Sequence, residues 1–328
     1  MLGASLCAYA QEGKKGGPPQ PTTTRSETPD NPQSLAHIEA AKKNAGDDPV
    51  LQKAYNFFCT VNDINAPQPE QEAVKVFDNL YILTSSPFQQ TTVYAITTSD
   101  GIIMIDSGEA GRLEKILAGF SKVGLDPSKV KYILLGHGHG DHYAAALYFQ
   151  EHFGTKVGAS AADWDLMWPA NAPAAAGDDK NPKPKRDLVL KEGTPLKLGD
   201  ETVNVVEIPG HTPGSLAFIF KVQDGKATHT AGLFGGTIQD QPRITVGGLN
   251  QYIGSIDHYL ETAKKMKVDV EIQNHAMFDD TPVRLARVQA RKAGEPNPFV
   301  MPIDKYSRMW NVVSECIGAA IARRPDGN

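Results

Sequence analysis

The amino-acid sequence predicts an α/β protein with two sheets in the middle and helices on the outside. Two observations carry that expectation. Short apolar strand patterns fall into two groups, and amphipathic helical patterns flank them. Residues 35–43 and 49–58 read as short helices. The first strand group opens at 74–83, where Phe77 and Leu80-Tyr81-Ile82 carry the apolar character. Strands at 91–97 and 101–105 follow, joined by the turn Ser99-Asp100-Gly101. Residues 109–123 form a helix, because Leu113, Ile116, Leu117, Phe120 and Val123 recur with the helical period on one face.

Asp126-Pro127-Ser128 breaks the chain, and 131–135 make a short buried strand. A helix at 143–152, a strand at 156–159 and a helix at 161–168 come next. Residues 169–185 are rich in Pro, Ala, Asp and Lys without periodicity and read as a surface loop rather than a lid. The second strand group covers 195–198, 202–208, 217–222 and 227–231. Tyr252, Ile253, Ile256, Tyr259, Leu260 and Ala263 mark another amphipathic helix. A strand at 268–272 ends before Asn274-His275, and helices near 282–291 and 305–323 close the chain.

The 328 residues suit one large α/β domain, assigned to 34–328. Hydrophobic residues make up 40% and charged residues 22%, as in a globular protein. The net charge of -5 argues against a nucleic-acid partner, which normally leaves a basic footprint. No apolar run is long enough to span a bilayer.

Residues 1–10 are apolar and end Ala8-Tyr9-Ala10, a small-residue pattern that suits signal-peptidase cleavage after Ala10. They read as the remnant of a longer leader and imply a periplasmic or secreted protein. Cys7 is preceded by the large Leu6, which does not fit a lipoprotein site. Residues 11–33 read as a disordered linker. Export would permit Cys59 and Cys316 to pair; two isolated buried thiols are an equal alternative.

The run Gly136-His137-Gly138-His139-Gly140-Asp141-His142 places three imidazoles and a carboxylate within six positions. Zinc takes imidazole nitrogen and carboxylate oxygen readily, and a loop after a buried strand leaves an open coordination position at a sheet edge. Gly138 and Gly140 are expected to supply tight or left-handed backbone so that successive side chains converge. His211, in Gly210-His211-Thr212-Pro213-Gly214-Ser215, and His275 are the further candidate ligands. His37, His152, His229 and His258 lack partners at ligand spacing and read as ordinary histidines. Trp164, Trp168 and Trp310 read as packing residues. Arg284, Arg287, Arg291 and Lys292 read as a solvated basic face.

The histidine cluster, the Gly-His-Thr-Pro-Gly-Ser loop, Asn274-His275 and the earlier Ile105-Asp106-Ser107-Gly108 together resemble the metallo-β-lactamase superfamily, from about Val74 to about Asn274. The resemblance implies a four-layer αββα sandwich, here with extra C-terminal helices. It implies two Zn2+ per chain, with His137, His139 and His211 on the first and Asp141, His142 and His275 on the second. Asp106 would then stand behind the ligands. Glyoxalases, lactonases and RNA-processing nucleases of the superfamily use a further aspartate, usually in a Gly-Asp pair on the strand after the Gly-His-Thr loop. This chain has Gly232-Leu233-Phe234-Gly235-Gly236 there. The ligand set is most similar to the third subclass of true metallo-β-lactamases.

That likeness implies an exported dizinc hydrolase that opens a β-lactam ring, a small-molecule substrate, by attack of zinc-bound hydroxide on the amide carbonyl, with consequent antibiotic resistance. Asp141 would be the catalytic residue that orients the nucleophile, and Thr237 with Gly235-Gly236 are candidates for the substrate carboxylate. The alternatives are hydrolysis of another ester or amide, such as a lactone or a small peptide-like substrate, and a zinc-binding protein without catalysis. Two departures from the family pattern stand out. Tyr143-Ala144-Ala145 replaces a small residue and two glycines, and the portion from Met277 onward does not match well-characterised β-lactamases.

Overall fold

The computed structural model describes residues 25, 28–62, 66, 68–87, 89–170, 182–239, 241 and 244–324. Residues 1–10, most of the linker and the centre of the 169–185 insert lie outside the described residues. Helices α1 (Pro32–Ala45) and α2 (Pro49–Cys59) come first, each opening on a proline behind an Asn31 or Asp48 side-chain cap. The first sheet contains β1 (Val74–Phe77), β2 (Leu80–Ser85), β3 (Thr92–Thr98), β4 (Gly101–Ile105), β5 (Val130–Leu134), β6 (Lys156–Ala159) and β7 (Leu188–Val189), in that spatial order. The β1 to β4 pairs are antiparallel and the β4 to β7 pairs parallel. Helices α3 (Leu113–Lys122), α4 (Gly140–Tyr143), α5 (Ala146–Phe153) and α6 (Ala161–Met167) fill the connections of the parallel half.

The second sheet contains β8 (Leu196–Leu198), β9 (Glu201–Glu207), β10 (Leu216–Asp224), β11 (Ala227–Phe234) and β12 (Val270–Ile272), in the order β12-β11-β10-β9-β8. Helix α7 (Val246–Lys265) crosses between β11 and β12, and α8 (Thr281–Ala290) and α9 (Ile303–Ala322) close the chain.

Three buried clusters separate four layers, as expected for αββα. Alternate residues of each strand face opposite ways. In β3, Tyr94 and Ile96 face the second sheet, while Val93 and Ala95 face α3 and α5. In β10, Phe218 and Phe220 enter the inter-sheet core, while Ala217 and Ile219 pack toward α7 and α9. Phe120, Phe149 and Trp164 fill the outer core on the first sheet, and Tyr252, Tyr259 and Trp310 fill that on the second. The extra helices therefore have a defined place: α1, α2 and α9 pack together over the second sheet. Cys59 at the end of α2 and Cys316 in α9 form a disulfide, which resolves the two alternatives left open for these thiols.

Several expected elements change on inspection. The strand expected at 74–83 is a hairpin, because Asp78-Asn79 turns the chain between Phe77 and Leu80. The helix expected from 109 starts at Leu113, since Gly108 and Gly111 take φ of 73° and 76°. The helix expected at 143–152 is broken by Ala144-Ala145 into α4 and α5. The two-residue β7 is too short for any periodicity to reveal. Helix α1 begins at Pro32, inside the stretch expected to be linker.

Candidate metal centre

Strand ends from both sheets meet at one edge of the sandwich. Asp106 follows β4, the histidine cluster follows β5, and Ser160 and Asp163 follow β6. From the second sheet come His211 after β9, Gly235 after β11 and His275 after β12. Main-chain bonds join the two groups: Leu216 N donates to Gly136 O at 2.8 Å, and Thr92 N to Asn274 O at 2.8 Å.

The six expected ligands converge here as two sets of donor atoms. His211 Nε2 stands 3.0 Å from His137 Nε2 and 3.1 Å from His139 Nδ1. His142 Nε2 stands 3.1 Å from His275 Nε2 and 3.2 Å from Asp141 Oδ2, and His275 Nε2 is 3.7 Å from that same oxygen. His137 links the sets, its ring centroid 3.9 Å from that of His142. A tetrahedral zinc with Zn–N of about 2.0–2.1 Å spaces its nitrogens about 3.3 Å apart. Both sets approach that spacing, and imidazole with carboxylate is a donor set that zinc and similar dications accept. His137, His142 and His275 are buried, whereas His139 is exposed and His211 half-buried, so the site opens on that side.

The far side of each ring shows which nitrogen is free. His137 Nδ1 donates to Gly235 O at 2.6 Å, His142 Nδ1 to Asp106 Oδ2 at 2.7 Å, and His275 Nδ1 to Gln89 O at 3.0 Å. Carbonyl oxygens only accept, so the hydrogens of His137 and His275 sit on Nδ1 and their Nε2 lone pairs face inward. Burial, reinforced by the neighbouring imidazoles, holds His137 well below the usual imidazole range. Burial and the neighbouring His142 bring His275 down to about 4. Burial also opposes charge on His142, but the Asp141 and Asp106 carboxylates outweigh it and lift its pKa to about 10. This corner of the site therefore stabilises positive charge. Asp141 stays ionised against the cost of burial because His142, His275 and His139 hold it well below the usual carboxylate range.

Asp106 is fully buried and takes φ of 58°. Its Oδ1 accepts from Gly136 N at 2.7 Å while Oδ2 accepts from His142 Nδ1 and from Asn274 Nδ2. Asn274 also donates to Gly235 O at 2.8 Å and accepts from Thr237 Oγ1 at 3.1 Å. It ties together the ends of β4, β11 and β12.

The role expected for the cluster glycines needs correction. Neither Gly138 nor Gly140 is left-handed; Gly140 opens α4 in helical conformation. Gly138 lacks room instead, since a Cβ there would stand 3.0 Å from Asp163 O. Crowding also explains Gly235, where a Cβ would stand 2.3 Å from Leu216 O. Sequence reasoning missed Asp163, Thr91 and Gln89, and it named Asn274 without assigning it a role. Thr91 Oγ1 donates to Asp141 Oδ2 at 3.2 Å, and the consecutive left-handed residues Gln89 and Gln90 (φ 51° and 48°) present the carbonyl that His275 uses. Positive φ at non-glycine residues has no signature in composition or period. The histidines set aside behave as ordinary ones: His37 pairs with Glu315, His229 with Asp269 and His258 with Glu192, while His152 stacks on Tyr148. Trp164 and Trp310 are buried packing residues.

Comparison with known proteins follows the same lines. A family model described as the metallo-beta-lactamase superfamily matches residues 86–270. A hydroxyacylglutathione hydrolase of Cereibacter sphaeroides is 31% identical over 138 residues, covering 41% of this chain and 48% of that protein. The chain thus spans about half the length of such curated relatives. Among solved structures, BJP-1, a subclass B3 metallo-β-lactamase of Bradyrhizobium japonicum, is similar with a TM-score of 0.58 and 25% identity, over 75% of this chain and 90% of that one. A class B3 di-zinc metallo-β-lactamase from an Alaskan soil metagenome, LRA-12, has a TM-score of 0.55 and 21% identity, over 76% of this chain and 92% of that one.

Proposed function

The chain belongs to the metallo-β-lactamase superfamily, and on that premise we propose that it is an exported dizinc hydrolase whose substrate is a β-lactam. The observation that carries this reading is the pair of inward-facing donor sets, nitrogen-only in one and nitrogen with one carboxylate oxygen in the other. His137, His139 and His211 would hold one ion, and Asp141, His142 and His275 the other. Bound zinc supplies a water with a pKa of about 7 and a Lewis acid for the carbonyl oxygen.

The chain's own groups do the positioning. Asp141 remains an acceptor at neutral pH and orients the attacking water, and the Thr91 hydroxyl steadies its Oδ2. Asp106 and the carbonyls of Gly235 and Gln89 fix the ring orientations, so the rings need no rotation before use, and His142 would give up its Nε2 proton to an arriving ion. Strand β11 reaches the site with Gly235-Gly236, and no side chain at Gly235 would fit against Leu216 O. This favours a β-lactam over substrates of those family members that use a carboxylate from that strand. The disulfide supports export, since such bonds persist in oxidising compartments. Hydrolysis of β-lactams in the periplasm would confer resistance to them.

A second reading has its own support. Likeness to hydroxyacylglutathione hydrolases favours a thioester or another ester as substrate of the same centre. A panel of nitrocefin, a carbapenem, a homoserine lactone and a hydroxyacylglutathione, assayed on zinc-loaded protein, separates the two. The β-lactam reading requires the first two to be turned over faster than the others. Turnover of the thioester or lactone alone reverses the assignment.

A further inference from the structure

We propose that Asp163 is a positioning residue for the first donor set, its one buried carboxylate clasping the loop of His137 and His139 to the loop of His211. This inference rests on the metal-centre reading above. Asp163 lies in the first turn of α6, where its N–H donates to the N-cap Ser160 Oγ at 3.1 Å. Oδ2 accepts from Gly138 N at 2.8 Å and from Thr212 Oγ1 at 2.9 Å, and Oδ1 accepts from Gly214 N at 3.1 Å. Gly138 lies between two of the three histidines of the set, and Thr212 follows the third.

The fit leaves no slack. Asp163 is fully buried. A Cβ on Gly138 would stand 3.0 Å from Asp163 O, and one on Gly214 would stand 1.9 Å from Ser160 Oγ and 2.7 Å from Asp163 N. Thr212 Oγ1 and Ser215 Oγ are also 2.7 Å apart, and Thr212 N donates to Ser215 Oγ at 3.0 Å. Three donors from two loops thus meet one carboxylate with no water-facing alternative. An asparagine keeps the shape but offers only one acceptor oxygen. Whichever way it turns, Gly138 N or Gly214 N then faces an NH2 group, and a buried unmatched donor pushes the loops apart. The spacing of His211 from His137 and His139 depends on those loops. The second set does not: Asp106, Thr91 and the Gln89 carbonyl hold it.

The test is stepwise zinc affinity, by chelator competition, on intact wild type, Asp163→Asn and Thr212→Val, with thermal unfolding of each metal-free protein alongside. His211→Ala and His275→Ala identify which binding step belongs to which set. The expected result is a loss of about 10–100-fold, the range for residues that orient ligands, confined to the step that His211→Ala abolishes. Thr212→Val, which deletes one of three donors, should show the same selectivity with a smaller loss. Wild-type affinity in both variants overturns the proposal. So does an equal fall in both steps with a lowered metal-free Tm, which is the mark of a general folding role. A wild type that takes up no zinc overturns the metal reading itself and this inference with it.

Discussion

Asp106 accepts a backbone conformation that costs an ordinary residue about 1–2 kcal/mol, and in return both its oxygens reach the site. One holds Gly136 N and the other holds His142 Nδ1. Asp106→Asn should therefore weaken zinc at the second set about 10–100-fold while leaving the first set within about threefold, as chelator competition would measure. An unchanged second set, or an equal loss at both sets, would show that the aspartate only shapes the turn. At this scale the sequence was partly legible. Three histidines and an aspartate in six positions have no packing explanation, so His137, His139, Asp141 and His142 announce themselves. His211 and His275 are single residues, readable only through the resemblance their neighbours carry. Gln89 and Gly235 act through main-chain carbonyls, and Asp163 through a carboxylate whose partners lie 25 to 51 residues away, so no residue type at any local spacing encodes them.

Among elements, the disulfide fastens α2 to α9 across a sequence separation of 257 residues. Closing so long a loop restricts the unfolded chain, and removing the bond with paired Cys59→Ala and Cys316→Ala substitutions should cost about 2–4 kcal/mol. Denaturant unfolding measures this, and metal stoichiometry should stay unchanged because neither cysteine lies at the donor sets. An unchanged stability would mean that the helical packing alone holds α1, α2 and α9 in place. Helix α8 shows where pattern reading fails. Arg284 was expected on a solvated face, yet it is 3% exposed, paired with Glu271 of β12 and stacked over Phe299 at 4.1 Å. Its partner lies on the strand that leads to His275, a long-range meeting that helical periodicity cannot contain. Strands β3 and β10, by contrast, were legible as apolar runs because both faces of each are covered by apolar layers.

For the molecule as a whole, the donor sets lie where the two sheets meet, with His137, His139, Asp141 and His142 following the first sheet and His211 and His275 the second. Metal uptake at these sets would therefore fasten one sheet to the other. Ligand that binds only the folded state at 100 times its Kd adds about 2.7 kcal/mol per site, so chelation should lower Tm, and restoring zinc should raise it again. A Tm indifferent to chelator would place any bound metal outside this junction. Two central sheets with helices outside were expected from the strand groups, and the four-layer order from the resemblance, while the closeness of the sheet edges at Gly136 and Gly235 became visible only in three dimensions.

The most direct test of the central claim is metal content per chain in wild type, His211→Ala and His275→Ala, measured on protein loaded with excess zinc and then freed of unbound metal. The account predicts a pair of ions in the wild type and the loss of one from each variant, each from a different set. Stoichiometry unaltered by both substitutions would contradict it.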